Sequence, residues 1–230
     1  LEQPGTNSNV VLQIRDLYGG FFAELGEYEM ADVVYEKAYL VSTEALGAQD
    51  PRTTLRLQTL ANNDAELQRY ELAEQRLQDA QATLVTAVGA EALPTINVLE
   101  DLAQLYQRQG KLRPALETLE QSYALRTKVQ GPEETQTLET KERLAELYRQ
   151  LGRPDEAEPM FLELIATAEQ LLGIADPLVI DAKSHLAQLY ENTNNFVASL
   201  RYYQEVYEID QQILGDAHPN TAGNLNNLAG

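Results

Sequence analysis

The chain has no cysteine and no tryptophan, only two histidines and two methionines, and 17 basic residues against 36 acidic ones. Without cysteine there can be no disulfide framework, no thiolate metal site and no cysteine nucleophile, although the compartment stays open. The formal charge of -19 repels nucleic-acid phosphate and anionic lipid headgroups, so neither nucleic acid nor a membrane surface is an expected partner. No hydrophobic run approaches the roughly 18 residues that a membrane-spanning helix needs. β-Branched residues are sparse, and Leu, Ala, Glu and Gln recur throughout, a composition that favours helix almost everywhere. With 43% hydrophobic residues in 230, the chain can still bury a substantial core. It begins at Leu1 without an initiator methionine, and is expected to be part of a longer protein.

What is present is a repeat. The pairs Leu60-Ala61, Leu102-Ala103, Leu144-Ala145, Leu186-Ala187 and Leu228-Ala229 follow one another at intervals of 42 residues, and three of them extend to a tyrosine, at Tyr106, Tyr148 and Tyr190. The same step links Gly47, Gly89, Gly131, Gly173 and Gly215. It also links Ala31, Ala73, Ala115 and Ala157 before reaching Ser199, and it links Tyr35, Leu77, Leu119, Phe161 and Tyr203. A period held by independent columns marks a repeat architecture.

Each unit carries two apolar patterns of helical spacing, Leu-Ala-x-Leu-Tyr in the first half and positions such as Leu112, Ala115 and Leu119 in the second. Each is therefore a pair of helices. Turn glycines at Gly26, Gly110 and Gly152, with Asn194 and Asn195 at the fifth turn, separate the two halves. Between units, loops such as Leu46–Pro51, Leu172–Pro177 and Leu214–Pro219 stop one helix with glycine and start the next with proline. The pattern predicts helices over 8–25, 28–46, 52–68, 70–88, 94–109, 112–129, 135–151, 155–172, 177–193 and 196–214, with another starting near 219. The second unit has Gln68 for the turn glycine and Asp64 for the tyrosine, which predicts a looser or continuous hairpin there. Pro159 is expected to delay or kink its helix, and Gly19-Gly20 to ease packing at Phe21 and Phe22. Leu225 and Leu228 are expected to be exposed in an unfinished sixth unit.

The motif Leu-Gly-x-x-His-Pro-x-x-Ala-x-x-Leu-Asn-Asn-Leu-Ala over 214–229, with x-Leu-Tyr-x-x-x-Gly completing it in other units, resembles the 42-residue tetratricopeptide repeats of kinesin light chains. The resemblance covers residues 8–230. It implies an all-α fold, a right-handed α-α superhelix of helix-turn-helix repeats, in one array with units near 8–50, 51–92, 93–134, 135–176 and 177–218 and a partial sixth over 219–230. It also implies a scaffold for protein–protein interaction whose concave face is lined by the first helix of each unit.

Taken by offset from the Leu-Ala pair, the candidate partner-binding residues are Asn62, Asn97, Glu100, Gln104, Gln107, Arg108, Glu139, Glu142, Glu146, Arg149, Asp181, Ser184, Gln188 and Glu191, with Gln13, Asp16, Gln58 and Asn192 on the same face. Family members that grip a terminal carboxylate place Lys, Asn and Arg at such offsets. Here acids, Gln and Ser stand there, so a basic or neutral peptide or protein is expected in preference to an acidic one. The alternatives are a solvated helix face with binding elsewhere, self-assembly into a homo-oligomer through the partial sixth unit, and a regulatory domain of a larger protein.

No catalytic motif, cofactor fingerprint or metal-ligand set is present, so the chain is expected not to be an enzyme. His218 sits where these repeats carry His-Pro and reads as structural. His185 follows Asp181 by four residues and so shares its helix side, but no second histidine or cysteine completes a metal site. Glu142 and Glu146 also share a helix side, and are expected to be open surface charges.

Overall fold

The computed structural model describes residues 4–215 and 218–229, with side chains described from Leu12 onward except those of Asn220, Asn227 and Ala229. Asp216 and Ala217 of the last predicted loop lie outside the described residues. Eleven helices and no strand are found among the described residues: α1 Pro4–Glu24, α2 Tyr28–Leu46, α3 Pro51–Glu66, α4 Tyr70–Val88, α5 Leu93–Arg108, α6 Leu112–Gln130, α7 Thr135–Gln150, α8 Pro154–Leu171, α9 Pro177–Asn192, α10 Phe196–Leu214 and α11 Pro219–Ala229. Within the paired patterns α1 packs with α2, α3 with α4, α7 with α8 and α9 with α10, as predicted. The chain divides into two compact units, one ending at Leu125 and one starting at Arg126.

Punctuation by residue type explains the boundaries. Gly47, Gly89, Gly131, Gly173 and Gly215 stand just after second helices with φ between 82° and 98°, a region that favours glycine. Asp50 and Asp176 cap α3 and α9, each accepting a bond from a backbone N–H at 2.9 Å, and such caps are worth about 1 kcal/mol.

Two expectations are corrected here. The second hairpin is neither loose nor continuous, because Gln68 itself takes the left-handed turn, at φ 59°, as Asn194 does at 60°. Asp64, in the tyrosine column, is fully buried and bonded by the Arg76 and Arg69 guanidiniums, so an ion pair fills the space a ring occupies elsewhere. Burial pushes the Asp64 carboxyl up, against the pull of Arg76. Pro159 does not delay α8, which starts at Pro154 and continues through it.

In the N-terminal unit, Ala73, Leu77, Ala80 and Leu84 of α4 pack with Ala61 and Ala65 of α3 and with Val98, Leu102 and Leu105 of α5. Alanine at the crossing points lets helices approach closely, and each buried leucine contributes about 1.5–3 kcal/mol. In the C-terminal unit, Ala145, Ala157, Phe161, Leu164, Leu186, Ala187 and Tyr203 belong to the equivalent cluster. Leu228 packs against that cluster contrary to expectation, while Leu225 is exposed as expected.

Candidate binding groove

The first helices of the N-terminal unit bury their Leu-Ala columns and leave a polar face uncovered. Between α1 and α3, over a floor of Tyr35 and Ala38 from α2, lies a hollow of about 380 Å3 reached by Asp16, Arg52, Arg56 and Thr59. A second of about 390 Å3 shares Tyr35 and Thr59 and adds Glu24, Tyr28, Asn62 and Glu66. A third of about 200 Å3 shares Asn62 and Glu66 and reaches Asp101, Gln104 and Arg108 on α5. Shared walls make the three one continuous groove across α1, α3 and α5.

Polar side chains lace neighbouring first helices along it. Arg56 Nη2 donates to Asp16 at 2.7 Å, Gln58 and Asn62 donate to the same oxygen of Asp101 at 2.7 and 2.8 Å, and Arg108 donates to Glu66 at 2.7 Å. Its acids Asp16, Glu24, Glu66 and Asp101 are opposed by Arg52, Arg56 and Arg108, a more even balance than the whole chain shows. Tyr35 forms the floor because Gly19 lets it. A Cβ at Gly19 would lie 2.3 Å from the Tyr35 ring, whereas one at Gly20 would meet nothing within 4 Å. The glycine serves Tyr35, not Phe21 and Phe22 as the sequence suggested.

The sequence-derived candidates are only partly brought together. Asn62, Asn97, Gln104 and Arg108 stand exposed on the face, and Gln107 is half-buried at its edge. Glu100 turns away and accepts from Ser122 at 2.9 Å. Arg56, Thr59, Glu66 and Asp101 were missed. Thr59 and Asp101 precede their Leu-Ala pairs by one residue, a column that continues as Arg143 and His185 and that the chosen offsets skipped.

The C-terminal unit has its own polar cluster on α7 and α9. His185 Nδ1 lies 2.7 Å from Glu142 Oε1 and 3.9 Å from Glu146 Oε2. Arg149 donates two bonds to Glu146 at 2.6 and 2.7 Å, and Gln150 donates another at 2.8 Å. Glu142 and Glu146 are each only 13% exposed at the side chain, so they are enclosed, not open surface charges. Burial favours neutral His185, yet the bond to Glu142 and the charges of Glu146 and Glu142 win and raise its pKa. Burial likewise pushes Glu146 up, and Arg149 and His185 more than offset it, so its pKa falls. Burial and the Glu142 charge raise that of Asp181. Glu139 and Asp181 are exposed, Gln188 is half-buried, Ser184 bonds its own helix at Ile180, and Glu191 accepts from Tyr203 at 3.1 Å.

Glu142, Glu146 and Glu191 are each answered by a cation or donor, which suits a structural or docking role. Among the described residues, no group of three or more His, Cys, Asp or Glu side chains could hold a metal ion, and no helix is long and apolar enough to cross a membrane.

A family model described as tetratricopeptide repeat matches residues 58–128, 94–170 and 136–212. Comparison with curated protein sequences gives no match. Among solved structures, the nearly identical repeats of a Podosopora anserina protein described as a kinesin light chain superpose with a TM-score of 0.78 at 20% identity, covering 93% of this chain and 99% of that one. BtubC from P. vanneervenii gives 0.80 at 18% identity, over 93% and 84%. A thermophilic repeat protein of Thermus thermophilus gives 0.58 at 22% identity, over 93% and 98%. At these identities the likeness shows the fold.

Proposed function

Since the chain belongs to the tetratricopeptide repeat family, whose fold generally serves as a protein–protein interaction scaffold, we propose that it binds an extended segment of a partner protein in the groove across α1, α3 and α5. The observation that carries this reading is the continuity of the groove, with Tyr35 and Thr59 shared by its first two hollows and Asn62 and Glu66 by the last two. A run of amide and hydroxyl groups beside an aromatic floor suits an extended main chain, because such groups satisfy its N–H and C=O without demanding one sequence. The chain's excess of acids favours a basic or neutral segment. No residue acts as a catalyst in this reading: Asp16, Glu66 and Asp101 are answered by cations or amides, and an open groove gives little of the desolvation that a general acid requires.

The test is selection of binding peptides from a displayed library on the immobilised protein, followed by titration against variants. Thr59→Trp, which fills the shared wall, should abolish binding. Asn62→Ala and Gln104→Ala should each weaken it several-fold, in keeping with about 0.5–1.5 kcal/mol per hydrogen bond. Val197→Asp, at an 84% exposed site on α10, serves as the control. Selected peptides that bind Thr59→Trp as tightly as the parent would place the site elsewhere.

A further inference from the structure

The 42-residue step carries one hollow of the groove onto another. Moved forward by that step, Glu24, Tyr35, Asn62, Asn63 and Glu66 of the second hollow become Glu66, Leu77, Gln104, Leu105 and Arg108, all walls of the third. The third hollow has α1 and α2 before it and α6 after it, bonded to α5 through Ser122, and it is still open. A flanking repeat therefore leaves this face uncovered, and differences between the two hollows come from their residues.

In the third hollow the fold answers its own acid, because Arg108 donates to Glu66 at 2.7 Å. The corresponding acid of the second hollow is Glu24, which is exposed, and the column that would bring it an arginine holds Glu66 instead. No basic side chain lines the second hollow, and no cation among the described residues pairs with Glu24.

The other replacements point the same way. Tyr35 stands where Leu77 floors the third hollow, with Tyr28 beside it. Burial, then the charges of Asp16 and Glu24, raise the pKa of Tyr35, which keeps its ring a neutral face for a cation. Asn63 stands where Leu105 packs in the core, and is itself only 4% exposed. Its Nδ2 donates to the Tyr28 carbonyl at 3.0 Å, but its Oδ1 is buried with no donor from the protein. Leu147 and Leu189 continue the apolar column in later units, so the amide is particular to this one. A buried acceptor left unpaired is costly, and a donor arriving with a ligand offsets that cost.

A carboxylate without a cation, a buried amide oxygen without a donor and two tyrosine rings together call for a group that is cationic, planar and rich in N–H. A guanidinium meets all three requirements, whereas a lysine ammonium is compact, strongly hydrated and lacks the plane. Resting on the groove reading above, we propose that the bound segment carries an arginine whose guanidinium enters the second hollow, taking for Glu24 the part that Arg108 plays for Glu66 and donating to Asn63 Oδ1.

The test begins with a random decapeptide library displayed on phage and selected on the immobilised full chain. Arginine should dominate one position, and lysine placed there should bind several-fold more weakly. Replacing that arginine by citrulline, which is neutral and of the same shape, should cost at least tenfold in affinity on the parent chain. Glu24→Gln should weaken the arginine peptide at least tenfold and leave the citrulline peptide nearly unchanged, a contrast that a merely structural role would not produce. Asn63→Leu restores the residue of the repeat column, so it should keep the helical circular dichroism spectrum and weaken the arginine peptide several-fold. If selected peptides are blocked by Thr59→Trp yet tolerate citrulline, or bind Glu24→Gln as tightly as the parent, the arginine assignment is overturned and the groove stands. If selected peptides ignore Thr59→Trp, the groove itself fails and the assignment with it.

Discussion

Gly19 and Gly20 are adjacent in one helix and opposite in consequence. A methyl at Gly19 would run into the Tyr35 ring at 2.3 Å, while one at Gly20 has open space. Gly19→Ala should therefore destabilise by about 1–3 kcal/mol, the cost of overpacking. Gly20→Ala should stabilise by about 0.5–1 kcal/mol, since it restricts the unfolded chain and suits helix. Urea unfolding of the two variants checks both signs, and equal effects would show that Tyr35 does not rest on Gly19. His185 gives a residue-level pH dependence, set among Glu142, Glu146, Arg149 and Asp181. Its pKa is raised in the fold, so its contribution is complete below the unfolded value of about 6.5 and is lost as pH climbs through the higher folded value. Unfolding free energies measured from pH 6 upward should fall relative to those of His185→Gln, and parallel curves would remove His185 from the account.

At the scale of helices, almost all of the architecture could be read in advance, because apolar columns, turn glycines and Pro-initiated helices repeat the same instruction at a 42-residue interval. Failures arose where one unit departs from the others. Gln68 accepts the left-handed turn since backbone bonds around it persist, Arg69 N–H to the Asp64 carbonyl at 2.8 Å among them. The binding face was less legible. Helical offsets identify which side of a helix is polar, but not whether a polar group is spent on its neighbour: Asp101 binds two amides across helices, and Glu142 and Glu146 are held by His185 and Arg149. Reversing the charge of Glu142 and Glu146 therefore disturbs packing as well as surface charge, and exposed Glu139 is the cleaner probe of ligand charge. Packing columns give a sharper prediction. Ala145 is fully buried in the cluster with Ala157 and Leu186, so Ala145→Arg brings an uncompensated cation into the crossing and should cost several kcal/mol. Helical circular dichroism should drop by the share of that repeat or more, and an unchanged spectrum would mean the Leu-Ala column is not the packing column.

For the whole molecule the governing quantity is charge. At least eleven of the 17 basic residues are held in ion pairs, from Arg52 and Arg56 to Lys183 and Arg201, which leaves few cations to offset the remaining acids. Exposed pairs are worth about 0–1 kcal/mol each and are weakened by salt, whereas repulsion summed over a net -19 opposes compactness and is screened by the same salt. The screening length shrinks from about 30 Å at 0.01 M to about 10 Å at 0.1 M, so long-range repulsion between units of the repeat fades before contact pairs do. The thermal midpoint should therefore rise as sodium chloride is added over that range. A falling midpoint would show instead that local pairs such as Arg56 with Asp16 and Arg108 with Glu66 outweigh the global charge, and would make the ion pairs lacing the groove a principal source of its rigidity.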